Sequence, residues 1–233
     1  MSYSAVILAA GKGVRMRSDL PKVVHKIGGK PIIEHVVEAV TKAGIKDITI
    51  VVGHGREKVK EVLQGYSVGY VVQEQQLGTG HALMQAKDKV NHDSTMLVLA
   101  GDIPLLQVET IKSLIEFHSQ KGSIATILSI ELSNPYGYGR IVRDSNNSFS
   151  KIVEEKDATI EEKMIKEINS GIYCFHAGSA FEALDRINPE NAQGEYYLTD
   201  ILEILKNDKQ KVDVLLTNAS QDIHGINDRV QLS

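Results

Sequence analysis

Apolar positions along this chain alternate between two rhythms. Ala5, Val6, Ile7 and Leu8 form a short continuous run that breaks at Ala9-Ala10-Gly11. A run of this length reads as a strand buried on both faces. After Pro31, the residues Ile32, Ile33, Val36, Val37 and Val40 recur at helical spacing, with Gly44 as a stop; proline suits the first turn and glycine the end. The same reading predicts strands at 48–52, 68–72 and 96–100. It predicts helices at 57–63 (closed by Gly65), 81–89 and 108–117. Apolar strands separated by helices call for a parallel sheet covered on both faces. Right-handed crossovers make it an open, doubly wound α/β sheet.

Beyond residue 122 the pattern changes. Residues 123–132, 140–143, 149–154 and 167–175 are strand-like, and turn chemistry such as Asn134-Pro135 and Asp144-Ser145-Asn146-Asn147 falls between them;. Strands this close, without intervening helices, predict antiparallel additions to the same sheet, hence a mostly parallel, mixed one. Helices at 179–186 and 198–207 and a strand at 212–217 follow. There is no internal repeat or low-complexity linker, so residues 1–227 are expected to form one domain, with 228–233 the start of a linker.

Composition removes several function classes. The net charge of −4 offers no basic field for a nucleic-acid backbone;. The single cysteine, Cys174, excludes an internal disulfide and a cysteine-based zinc site, and its apolar surroundings suit a small core residue;. No apolar run approaches the ~20 residues of a membrane span. The opening Met1-Ser2-Tyr3-Ser4 lacks a charged leader, so a cytoplasmic protein without membrane insertion is expected;.

Three segments carry candidate chemistry. The loop Leu8-Ala9-Ala10-Gly11-Lys12-Gly13-Val14-Arg15-Met16 follows the first strand, at the sheet edge where open α/β folds bind ligands;. Its glycines allow close approach of backbone N–H groups to phosphate, and Lys12, Arg15 and Lys22 add charge. The spacing is neither a dinucleotide fingerprint nor a Walker A loop, and a plain turn with solvated cations is the other reading. The segment Gln73-Glu74-Gln75-Gln76-Leu77-Gly78-Thr79-Gly80-His81-Ala82 offers amides and glycine backbone that match a pyrimidine edge, or it is simply a polar loop. In Leu99-Ala100-Gly101-Asp102-Ile103-Pro104, a lone carboxylate at a strand end suits Mg2+, which takes few protein oxygens;. The alternative for Asp102 is a cap before Pro104.

These segments, with Asp19-Leu20-Pro21-Lys22-Val23, Gly137-Tyr138-Gly139-Arg140-Ile141, Ile152-Val153-Glu154-Glu155, Glu167-Ile168-Asn169-Ser170-Gly171, Gly194-Glu195-Tyr196-Tyr197-Leu198-Thr199-Asp200 and Gly225-Ile226-Asn227, resemble one family over essentially the whole chain. It is the N-terminal uridyltransferase domain of the bacterial bifunctional N-acetylglucosamine-1-phosphate uridyltransferase/glucosamine-1-phosphate acetyltransferase. The resemblance implies a Rossmann-like nucleotidyltransferase fold, and UDP-N-acetylglucosamine and pyrophosphate formed from UTP and N-acetylglucosamine 1-phosphate for cell-wall precursors. It implies that Leu8, Ala9, Ala10, Gly11, Gln73, Gly78, Thr79, Ala100 and Gly101 meet the nucleotide. Arg15, Lys22 and Asp102 would be catalytic, and Asp102 and Asn227 would hold Mg2+. Gly139, Glu154, Asn169, Tyr197 and Thr199 would meet the sugar. The family often carries tyrosine where this chain has Ala100; only a backbone contact survives that change. Full-length members are implied to be trimers built on a C-terminal β-helix, absent here, so acetyl transfer is not expected.

Other features read as structural. Eight histidines (His25, His35, His54, His81, His92, His118, His176 and His224) show no metal-ligand spacing on one helix and are expected as isolated surface or capping residues. The charge run 154–163 reads as a solvated turn and helix face, with Glu154 singled out at a strand end;. A related transferase with another nucleotide or sugar, and a non-catalytic nucleotide-binding subunit, remain alternatives.

Overall fold

The structure, a computed structural model, describes residues 2–11, 13, 18 and 20–218. The first apolar run is β1 (Tyr3–Ala9), which lies between two parallel neighbours, β4 (Asp47–Val52) and β6 (Thr95–Ala100); β5 (Gly69–Val72) adds parallel to β4. Between β1 and β4 come a short hairpin, β2 (Lys26–Ile27) and β3 (Lys30–Pro31), and α1 (Ile32–Lys42). The five α1 residues picked out by their spacing are all buried, and Gly44 follows with φ +100°.

The later strands join the same sheet, giving the order β11-β7-β10-β6-β1-β4-β5. Here β10 (Glu167–His176) runs antiparallel to both β6 and β7 (Ala125–Glu131), and β11 (Val212–Thr217) is parallel to β7. The antiparallel additions therefore reach the centre: β10 sits between two strands that precede it in sequence. A further pair, β8 (Arg140–Arg143) and β9 (Phe149–Val153), attaches to β10 through Ile168 opposite Arg140.

Period-two alternation divides the core. Ala5, Ile7 and Ala9 pack with α1, α2 (Arg56–Val62) and α4 (Val108–Lys121) on one face. Val6 packs with α3 (Thr79–Met84), α6 (Ala177–Leu184) and α7 (Asp200–Asn207) on the other. Cys174 lies in the first cluster, fully buried, and burial pushes its thiol pKa up.

Several helices differ from their expected bounds: α2 begins one residue and α6 two residues earlier, and α7 begins two residues later. α3 ends at Met84 because the N–H groups of Ala86, Lys87 and Lys89 turn to carbonyls three residues back;. α4 runs past 117 to Lys121, where Gly122 closes it at φ +61°;. That extra turn buries His118, which hydrogen-bonds Thr126 at 2.9 Å, so this histidine is a core residue and not a surface one. A one-turn helix, α5 (Ile160–Lys163), is closed by a capping box between Thr159 and Glu162;.

Candidate active site

The carboxyl ends of β1, β4, β5 and β6 lie on one edge of the sheet because the four strands are parallel. Since β10 opposes β6 with Tyr173 against Val98, its earlier residues continue past that edge. Between Asn169 and Tyr173 the pairing with β7 slips, four residues of β10 matching two of β7. The bulge re-aims the start of β10, as such irregularities do.

A cavity of about 480 Å³ opens at this edge. Leu8, Ala9, Ala10, Gly11, Lys22, Gln73, Gly78, Thr79, Ala100 and Asp102 line it, with Gly13, Val23, Gln76, Ala82 and Glu195. Gly101 does not: its N–H donates to the Leu8 carbonyl at 2.9 Å, and a Cβ there would come within 2.8 Å of Ile33 Cδ1.

At one end of the cavity Lys22 forms an ion pair with Asp102. Pro21 precedes a 3-10 turn at Lys22–Val24, and the buried Val23 and Val24 anchor it. Gly13, at φ +59°, crosses so close that a Cβ would lie 2.7 Å from that of Lys22. Only glycine meets both demands. Arg15, Lys12 and Asn227, and the 228–233 segment, lie outside the described residues.

The wall between β5 and α3 is built by two distant segments. Gly78 has φ +113°, and a Cβ there would meet the Tyr196 carbonyl at 2.5 Å. Tyr196 donates to the Leu77 carbonyl at 2.8 Å, and Gly80 donates to the Tyr196 carbonyl at 2.8 Å. The Leu198 N–H donates to Thr79 Oγ1 at 3.1 Å. Gln73, buried, donates from Nε2 to the Gly78 carbonyl at 3.0 Å.

A second cluster gathers four of the five residues assigned to the sugar. Asn169 donates its N–H to the Gly139 carbonyl at 2.9 Å. The Gly139 α-carbon lies beside the Glu154 carboxylate, and Thr199 Oγ1 donates to Glu154 at 3.2 Å. Burial raises the Glu154 pKa; the Thr199 hydrogen bond and Arg140 work against it, and Asp157 with it. Tyr197 turns its hydroxyl to Asp157 at 3.3 Å and to the Gln193 amide at 2.8 Å. Asp200 next door is pushed up to about 6 by burial, then by Glu154, Glu203 and Asp157.

Several contributors carry no distinct sequence signal. Arg140 is fully buried and pairs with Glu155 at 2.7 Å, while the Gly137 N–H donates to the same carboxylate at 3.1 Å. This pins residues 137–140 over Glu154. Tyr138 has its pKa raised by burial and by the Asp102 charge, which ties that loop to the Lys22 end. Gln76 and Glu195 also line the cavity, yet nothing in their spacing marks them for it.

A strand-end cavity in a doubly wound sheet, floored by a glycine loop, is the architecture of the nucleotidyl transferases. The chain belongs to that family, described as Nucleotidyl transferase, which matches residues 4–227. It is similar to the bifunctional protein GlmU of Syntrophomonas wolfei, 60% identical over all 233 residues and 52% of that protein. It is 48% identical to the bifunctional protein GlmU of Clostridioides difficile, again over the whole chain and 50% of the relative. The chain thus spans about half the length of these curated relatives. Among solved structures, a UDP-glucose pyrophosphorylase complexed with UDP-glucose superposes with TM-score 0.81 at 19% identity, over 100% of this chain and 96% of that one. A putative glucose-1-phosphate thymidylyltransferase from Bacillus anthracis also gives TM-score 0.81, at 24% identity over 99% and 92% of the two chains. At these identities the two structures attest the fold.

Members of this family generally depend on a divalent cation. Among the described residues no three His, Cys, Asp or Glu side chains gather as a metal cluster. The one cavity-lining carboxylate beside Lys22, Asp102, fits a hard cation held mostly by phosphate oxygens and water;. Among the described residues, no helix is long and apolar enough to cross a membrane.

Proposed function

We propose that this chain transfers a uridylyl group from UTP to N-acetylglucosamine 1-phosphate, releasing pyrophosphate and forming UDP-N-acetylglucosamine. The observation that carries it is the strand-end cavity that joins the 8–11 loop, Gln73, Gly78 and Thr79 to the Lys22–Asp102 pair. The Glu154 cluster stands beyond it, linked through Thr79, Leu198 and Thr199. Residues 1–227 are taken as the nucleotidyltransferase domain.

In the reaction a sugar-phosphate oxygen bonds to the α-phosphorus of UTP as the bond to the β-phosphate oxygen breaks. That oxygen is already deprotonated at neutral pH, so no general base is needed. Repulsion between two anions is the main obstacle, and positioning with electrostatic stabilisation is the remedy. Lys22 and Arg15 would oppose charge on the triphosphate and the departing pyrophosphate. Backbone N–H groups of the 8–11 loop would hold phosphate oxygens, and Gln73, Gly78, Thr79 and the Ala100 backbone the uridine. Glu154 would accept hydrogen bonds from sugar hydroxyls, with Gly139, Asn169, Thr199 and Tyr197 shaping the pocket. The cation is proposed to be Mg2+, held by Asp102 and Asn227, where it would neutralise phosphate charge.

The test is pyrophosphate release with UTP, N-acetylglucosamine 1-phosphate and Mg2+, set against the other nucleoside triphosphates and against glucosamine 1-phosphate. Turnover should require UTP, the acetylated sugar and the cation together. A preference for dTTP with glucose 1-phosphate would replace the substrate assignment, and absence of turnover with every pair would favour a binding subunit.

A further inference from the structure

Gln73 is 3% exposed yet lines the cavity, so its amide is held by protein on one side and opens on the ligand space on the other. The orientation of that amide follows from its neighbours. A carbonyl only accepts, so the amide atom 3.0 Å from the Gly78 carbonyl must be Nε2;. The same nitrogen lies 3.0 Å from Nδ1 of His81. One of its hydrogens serves Gly78, leaving the other for His81, and Nδ1 must then be the unprotonated acceptor. The ring proton sits on Nε2.

That nitrogen faces the Gln85 amide nitrogen at 3.3 Å, but Gln85 already donates to the His81 carbonyl at 3.0 Å. The ring can accept from only one of the two amides, and the shorter contact with buried Gln73 decides the tautomer. Tyr196 stands beside the ring, centroids 6.3 Å apart, on the segment that also closes over Gly78. With both Nε2 hydrogens engaged, Gln73 turns Oε1 the other way. Among the described residues Oε1 receives no hydrogen bond and is not sealed from solvent.

We infer that His81 is a positioning residue for base selection: by accepting from Gln73, it holds a bare carbonyl oxygen toward the base. That oxygen suits a base edge that donates, such as the N3–H of uracil, and opposes one that accepts, such as N3 of cytosine. The inference rests on the nucleotide reading of the cavity given above.

The experiment compares kcat/KM for UTP and CTP in the wild type, His81→Ala and His81→Asn, with thermal midpoints recorded alongside. Alanine removes the acceptor, so one hydrogen bond, to the Gly78 carbonyl, is left to hold the amide in this orientation. Asparagine places an acceptor oxygen near the position of Nδ1. The preference for UTP should narrow by about tenfold in the alanine variant, the worth of one hydrogen bond. It should largely return in the asparagine variant. A merely structural histidine would lower both rates alike, and an unchanged ratio overturns the inference. If His81→Ala does not fold, ring nitrogen chemical shifts of the wild type decide: an Nε2–H tautomer supports the inference and an Nδ1–H tautomer refutes it. A wild type inactive with UTP would sink the proposed function and this inference with it, whereas an active one with unaltered selectivity in the variants sinks only the latter.

Discussion

Lys22 and Asp102 come from loops eighty residues apart and meet at one end of the cavity. Replacing either by alanine should lower kcat by about 10²–10³, the usual loss for one charge-stabilising group. The thermal midpoint should move little, because both side chains reach the cavity and not the core. If both variants kept near-normal pyrophosphate release, the reacting centre would lie elsewhere. Glu154 gives a different readout. Burial lifts its pKa, so it takes up a proton at higher pH than an ordinary glutamate. A neutral carboxyl accepts sugar hydroxyls less well, so KM for the sugar phosphate should rise as pH falls while KM for UTP holds. Glu154→Gln should raise KM and abolish that pH dependence; a wild type with a flat profile would remove Glu154 from the sugar pocket.

At the level of elements, the joint between the β5–α3 loop and the 195–198 segment controls the cavity wall. Gly78→Ala would combine a left-handed backbone with a 2.5 Å clash on the Tyr196 carbonyl. Strain of this kind costs about 1–3 kcal/mol. Release of the 195–198 segment should also raise KM for both substrates, because Thr79 and Leu198 link the two ends of the site. Steady-state kinetics with a denaturation curve would check this; a variant with wild-type values in both would mean the wall tolerates displacement. The bulge in β10 is a comparable device, since it separates Asn169 at the site from Tyr173 and Cys174 in the core. Nothing in the apolar run at 172–175 marks where that slip falls. The bulge depends on which strand lies alongside, and sequence periodicity reports a strand's own faces only.

For the whole molecule, stability rests on a core divided by one sheet, and truncation should cost most where a central strand meets a helix layer. Phe175, fully buried on β10, should lose about 3–5 kcal/mol on change to alanine, measured by denaturant unfolding;. A second dependence is on pH. Burial holds His118 neutral, its pKa lowered from 6.5 to about 4, with His176 adding and Asp213 opposing. The unfolded chain therefore binds more protons between those values. The stability from a neutral His118 is complete above pH 6.5 and is lost as pH falls toward about 4;. His118→Gln should flatten the thermal midpoint across this window, and an unaltered slope would show that other groups dominate. Asp200 works in the opposite sense, its raised pKa favouring the folded state below about 6, so Asp200→Asn should steepen the acid loss;.

The amino-acid sequence determined the strands of the main sheet, though not the β2–β3 hairpin, together with the major helices and the sheet edge that bears the site, because each rests on local periodicity and turn chemistry. The 32–40 spacing became α1 and residues 212–217 became β11 without correction. Motif likeness likewise named the residues of the cavity floor. Tertiary structure alone decided that β10 would enter between β6 and β7, that Tyr196 would close over Gly78, and that His118 would be interior. Those outcomes depend on contacts between segments tens of residues apart, where packing and hydrogen-bond satisfaction act and local pattern is silent.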